Sequence, residues 1–184
     1  MYLIDRKLKH NVFRYIFQCA MATLTIVAML LFLNIVRHGA IIASLGASTF
    51  IVFTMPQAYH SKARPLIGGY IIGVISGLLC DLLSEHATIA NLFSQPYVPV
   101  ILFGGLAVGL AMFLMAITNT EHAPAAGMAL ALILNEWSMD TLAFIVASVL
   151  WLKLVKVIFQ DHLMDFRDTP ENVIDSVSSK NTYE

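Results

Sequence analysis

Charge is the scarcest property of this chain. Only 12% of its 184 residues are charged, against about a quarter in a soluble globular domain, which excludes a water-soluble fold. The shortage is sharpest in the interior of the sequence, where no Asp, Glu, Lys, Arg or His lies near the centre of any apolar run. Proton- and cation-coupled carriers place such a residue there despite its energetic cost. Its absence points to passive, gated movement of a small solute, with Glu121 or His122 able to act only at a mouth. The basic residues crowd towards the two ends. Once these are assigned to a membrane face no basic groove is left, and a nucleic-acid partner is not expected.

Cysteine and the common chemical motifs are equally sparse. The two cysteines, Cys19 and Cys80, lie far apart in apolar runs and form no C-x-x-C, so they read as small buried hydrophobes. His10, His60, His86 and His162 show no ligand spacing, and no metal site is expected. There is no nucleophile elbow, Walker loop, dinucleotide glycine pattern or H-E-x-x-H. Neither catalytic residues nor a cofactor are therefore expected, and the chain does not read as an enzyme. No cleavable signal peptide is expected, because residues 1–11 are polar and basic and the first apolar run is long enough to span a bilayer.

What remains is apolar: 58% of the residues are hydrophobic and the mean hydropathy is +0.76. This composition predicts an integral membrane protein, expected in a bacterial inner membrane. Residues 1–12, with Arg6, Lys7 and Lys9, read as a basic cytoplasmic arm. A transmembrane domain over 13–160 follows, with full-length spans at 13–36, 66–83, 97–118 and 139–159. Two shorter apolar segments, 40–55 and 122–134, lie between them. Gly69, Gly73 and Gly77 recur every four residues, a small-residue ridge that lets another backbone approach closely. Gly105 and Gly109 offer a second ridge able to meet the first. Residues 161–184 read as a polar cytoplasmic tail whose end, DSVSSKNTYE, has a disordered composition.

The topology turns on whether the short segments cross. If both do, there are six passes, both termini are cytoplasmic and Arg37 alone among the basic residues lies outside. If both re-enter, four full passes remain and Lys62 and Arg64 join Arg37 outside. The positive-inside rule favours six passes, with four full passes plus two re-entrant segments as the alternative. The expected fold is thus all-α, built of two inverted three-helix units, 13–83 and 97–159, with two of the six helices short or broken.

Short, small-residue segments at matching places in two halves point to a binding site in a transporter. In inverted halves the N-terminal ends of the two short helices enter from opposite faces. Gly46, Ala47, Ser48 and Thr49 in one, and Ala125, Ala126, Gly127 and Met128 in the other, then approach the midplane. Bare N–H groups and positive dipole ends there favour an anion. Tight helix packing is the competing account of the same small residues. His122, followed by Pro124, either lines the entry of a permeation path or caps a helix start beside Glu121. Arg37 and His38 border the other mouth. A chain of 20.3 kDa is little material to surround a path, so a homo-oligomer, a dimer by preference, is expected as partner alongside the small anion and the lipid bilayer. A non-transporting membrane scaffold or sensor subunit is the alternative.

Three stretches, GASTFIVFTMP, RPLIGGYIIGVISG and HAPAAGMALALIL, resemble in that order the signatures of the HPP family of integral membrane proteins, from about Gly39 to Leu134. The family takes its name from a His-Pro-Pro tripeptide at the third place. Here His122 and Pro124 are retained and Ala123 replaces the first proline. Ala126-Gly127-Met128 stands for the family's Gly-Ala-Thr, and Tyr70 for a histidine common after the double glycine. The resemblance implies a four-helix description, and, from plastid and cyanobacterial members implicated in nitrite transport, a small-anion transporter.

Overall fold

The computed structural model describes residues 6–32, 39–86, 93, 95 and 97–166, with backbone alone at 6–10 and 32. Arg37 and His38, the side chains of Arg6, Lys7 and Lys9, and the terminal DSVSSKNTYE lie outside the described residues. Among the described residues six α-helices run in order: α1 Arg6–Phe32, α2 Gly39–Thr54, α3 Gly69–Glu85, α4 Tyr97–Thr118, α5 Ala123–Leu134 and α6 Met139–Phe159. Four stretches among the described residues, Asn11–Leu31, Arg64–Glu85, Tyr97–Thr118 and Met139–His162, are long and apolar enough to cross a membrane. α2 and α5 have 16 and 12 residues, about 24 and 18 Å at helical rise, short of the roughly 30 Å of a bilayer core.

Local chemistry sets the boundaries. Asn11 breaks the start of α1 with a non-helical backbone (φ −130°, ψ 24°), so the basic arm leaves the span there. Pro65, which has no N–H to give, sits in a π-helical turn, Arg64–Gly68, that leads into α3. α4 ends where Asn119 adopts the left-handed conformation (φ 56°) and the Thr120 amide returns to the Met115 carbonyl at 2.9 Å, a helix stop for which asparagine is suited. α6 starts on a reciprocal cap between Ser138 and Thr141.

Loop contacts fix the direction of each helix. On one face the Tyr59 hydroxyl donates to the Asn119 carbonyl, Arg64 donates to the Thr118 carbonyl at 2.8 Å, and the Phe166 amide donates to the Thr54 carbonyl at 2.9 Å. At the opposite face the Trp137 indole N–H donates to Asp81 at 2.7 Å. α5 therefore runs from the first face to the second, and α2 arrives at the first face at Thr54. The two short helices cross and do not turn back, giving six helices of alternating direction.

The packing relates the halves as inverted repeats. α3 packs on α4 and α5, and α6 packs on α1 and α2; α4 packs on α5 as α1 does on α2; α2 and α5 meet each other across the pseudo-two-fold. The second half is the tighter partner of α3 because of the glycine ridge. A Cβ at Gly69 would sit 2.8 Å from the His122 Cβ, and one at Gly77 would sit 2.8 Å from the Ala129 carbonyl oxygen. One at Gly73 would overlap the Ala125 carbonyl outright. The expected meeting of two glycine ridges does not occur: the first ridge is taken by α5, and Gly105 and Gly109 face open space. α6, the repeat counterpart of α3, contains no glycine, so nothing lets α2 come as near to it.

The segment after α6 closes the bundle. Gln18, fully buried in α1, donates to the carbonyls of Phe53 at 2.7 Å and Met164 at 2.9 Å, and its amide oxygen accepts from the Met164 N–H at 3.2 Å. Phe166 stacks on Tyr15 with ring centroids 4.0 Å apart. The first residues of the polar tail are thus part of the packed structure. The glycine geometry predicts an order of tolerance: Gly73→Ala and Gly77→Ala lower stability by about 1–3 kcal/mol or more, as overpacking does. Gly105→Ala raises it by up to roughly 1 kcal/mol through helix propensity. Thermal unfolding of the detergent-solubilised protein measures all three.

Candidate functional site

The two short helices meet at a buried polar cluster. Ser44 and Ser48 are one helical turn apart on the inner face of α2, Tyr70 comes from the first turn of α3, and His122 is the N-cap of α5. Ser48 is 0%, His122 1% and Tyr70 3% exposed. The Ser48 hydroxyl lies 2.8 Å from His122 Nε2 and 2.7 Å from the Tyr70 hydroxyl. The Tyr70 hydroxyl is also 3.1 Å from the Ser44 carbonyl and 3.2 Å from the Ser44 hydroxyl. Ser44 donates to the Pro124 carbonyl at 2.6 Å, and His122 Nδ1 lies 3.1 Å from the His60 carbonyl.

Those partners assign the hydrogens. A carbonyl only accepts, so His122 Nδ1 carries the proton and Nε2 is left as acceptor. Ser48 then donates to Nε2, Tyr70 donates to the Ser48 oxygen, and Ser44 donates to Pro124. The result is a one-way chain from Tyr70 through Ser48 and His122 to the His60 carbonyl, in which every donor has an acceptor. A proton added at Nε2 reverses its two upper links, since Nε2 would donate to Ser48 and Ser48 to Tyr70. No full charge sits within the cluster.

The residues expected to form the site separate into two groups. Ser48, His122 and Pro124 come together at this crossing. Ala126 is buried beside them on α5. Thr49 is buried too, but its hydroxyl is spent on the Leu45 carbonyl one turn back at 3.0 Å. Ala47 and Gly127 are exposed, Gly46 is half-buried, and a Cβ on either glycine would meet nothing. These three face away from the cluster. The expected convergence of two helix tips on one volume is likewise not the arrangement found. His122 rests against Ser48, nine residues along α2 from Gly39, so the tips lie about 13 Å apart along that helix and the two run side by side in opposite directions. Nor does the His122 ring cap its helix, which has no side-chain cap.

Ser44, Tyr70 and the His60 carbonyl belong to the cluster although their sequence context did not single them out. The i, i+4 spacing of Ser44 and Ser48 was the available signal for the serines. Among the described residues, no group of three His, Cys, Asp or Glu side chains could hold a metal ion. A family model described as "HPP, transmembrane region" matches residues 7–167. No curated protein and no solved structure matches the chain.

Proposed function

The chain belongs to the HPP transmembrane family, and from that premise we propose that it is a transporter or channel for a small monovalent anion, with no catalytic step. Nitrite is the substrate the family resemblance implies. The observation that carries the reading is the uncharged hydroxyl–imidazole cluster at the crossing of α2 and α5. Ser48 is six residues, about 9 Å of helical rise, from the Thr54 end of α2, deep enough for bulk water to be scarce. There the hydroxyls of Ser44, Ser48 and Tyr70 can re-aim towards an anion, whose charge strengthens each hydrogen bond it accepts. His122 orients Ser48, and Pro124 and Ala126 form the α5 wall. A small ion fits this demand; a polyanion, needing several full countercharges, does not.

The face bearing Lys62, Arg64, Lys153 and Lys156 is read as cytoplasmic by the positive-inside rule, in a bacterial inner membrane with both termini on that side. Gly46, Ala47 and Gly127 are assigned to packing between copies, as are Gly105 and Gly109. All but the half-buried Gly46 are exposed on the protomer, where small residues let helices of a homodimer approach.

One observation favours a second reading, a non-transporting scaffold or sensor subunit: all four donors of the cluster already have acceptors within the protein. Proteoliposome flux with nitrite, nitrate, formate and chloride separates the two. Transport requires nitrite flux above that of protein-free vesicles, reduced about tenfold in Ser48→Ala and Tyr70→Phe, the equivalent of one lost hydrogen bond. Flux equal to the empty vesicles leaves the scaffold. For the dimer, the double change Gly105→Leu/Gly109→Leu leaves the protomer folded and shifts its mass in detergent from two chains to one, read by light scattering.

A further inference from the structure

The last two turns of α6, the connection from Pro56 to Ala63 and the turn at Gln160 and Asp161 enclose a cavity of about 380 Å³. Lys62, Lys153 and Lys156 line it, and Asp161 is the only carboxylate among its lining residues. Gln57 and Gln160 add amide groups that can donate hydrogen bonds. The Lys156 ammonium is anchored on the Ser61 carbonyl. Among the described residues, neither the Lys62 nor the Lys153 ammonium has a hydrogen-bond or ion-pair partner. Asp165, close behind, accepts from the Gln57 N–H at 2.9 Å.

Two ordinary explanations account for part of this. Cations gather at helix C-termini because the dipole is negative there, and lysines near a span end reach outward to water. Both apply to lysines on α6. Neither explains Lys62, which arrives from a different element and places a third positive charge in the same small space. Like charges so confined raise each other's energy, and an anion relieves it. Lys153 lies six residues before the end of α6, about 9 Å of rise, and Lys62 and Gln160 lie beyond the helix ends, so the cavity spans the depth of lipid headgroups.

We propose that this cavity binds a phosphate group, presented by an anionic phospholipid headgroup or free in solution. Three ammonium groups supply point charges and the two amides supply direction. A net-neutral headgroup gains little, because its own choline ammonium repels the lysines. The site uses other residues than the Ser48–His122 cluster and stands whether or not the protein transports an anion.

The full-length protein in neutral detergent micelles is titrated with phosphatidylglycerol, phosphatidylcholine and inorganic phosphate, following its unfolding temperature. Phosphatidylglycerol raises that temperature saturably and phosphatidylcholine does not. In Lys62→Gln/Lys153→Gln the apparent dissociation constant rises about 30-fold, the effect of two surface lysines, and Lys62→Arg/Lys153→Arg restores it. If inorganic phosphate reproduces the shift, the source is free phosphate; if only phosphatidylglycerol acts, it is the headgroup. Equal responses to the two lipids with inorganic phosphate silent overturn the proposal, as does wild-type affinity in the glutamine pair. The wild-type lipid preference is decisive by itself should that pair fail to fold.

Discussion

Along α3 and α5 two backbones touch with no side chain between them, and the positions of the polar groups depend on that contact. Gly69, Gly73 and Gly77 clear a strip on α3 into which His122, Ala125 and Ala129 settle in step. In lipid no hydrophobic force drives helices together, so close van der Waals packing must do so. The strip also sets depth. His122 is level with Gly69, beside Tyr70, and from there its ring reaches Ser48 on α2 and the His60 carbonyl. Three separate elements are thereby tied at one point by groups that would be costly to leave unpaired.

The inverted halves are unequal partners. α5 is buried on nearly every side, while α4 offers most of its surface outward and α6 meets α2 without a glycine strip. An evenly balanced pair of repeats would place the pseudo-two-fold through a symmetric site. Here the cluster instead draws its polar groups from α2, α3, the His60 carbonyl and the start of α5, so it lies nearer one face of the bundle than the other. The lysines and Arg64 lie on that same face.

Two helices were legible to their ends because they carry their own punctuation. Tyr97–Thr118 and Met139–Phe159 agree with their sequence boundaries residue for residue, since α4 ends at Asn119 and α6 begins at Ser138. The alternation of directions was legible through the basic residues. The site was readable only in part. Ser48, His122 and Pro124 stood out by composition, but helical phase sends Gly46, Ala47 and Gly127 outward while turning Ser44 and Ser48 in, and no local pattern states which arc of a uniformly apolar helix a neighbour will cover. Tyr70 was hidden for another reason: its role depends on α3 and α2 being adjacent, a long-range fact. The fate of the glycine ridges was hidden likewise, because two strips that fit each other on paper were competing with α5 for one of them.

Gln18 links the beginning of the chain to its last described residues, holding Phe53 and Met164 at once. A protein emerging from the ribosome delivers its first helix long before its last. Until Met164 arrives, the side-chain amide of Gln18 lacks two of its three final partners. The seat of the first helix is therefore completed only by a residue 146 positions further along the chain.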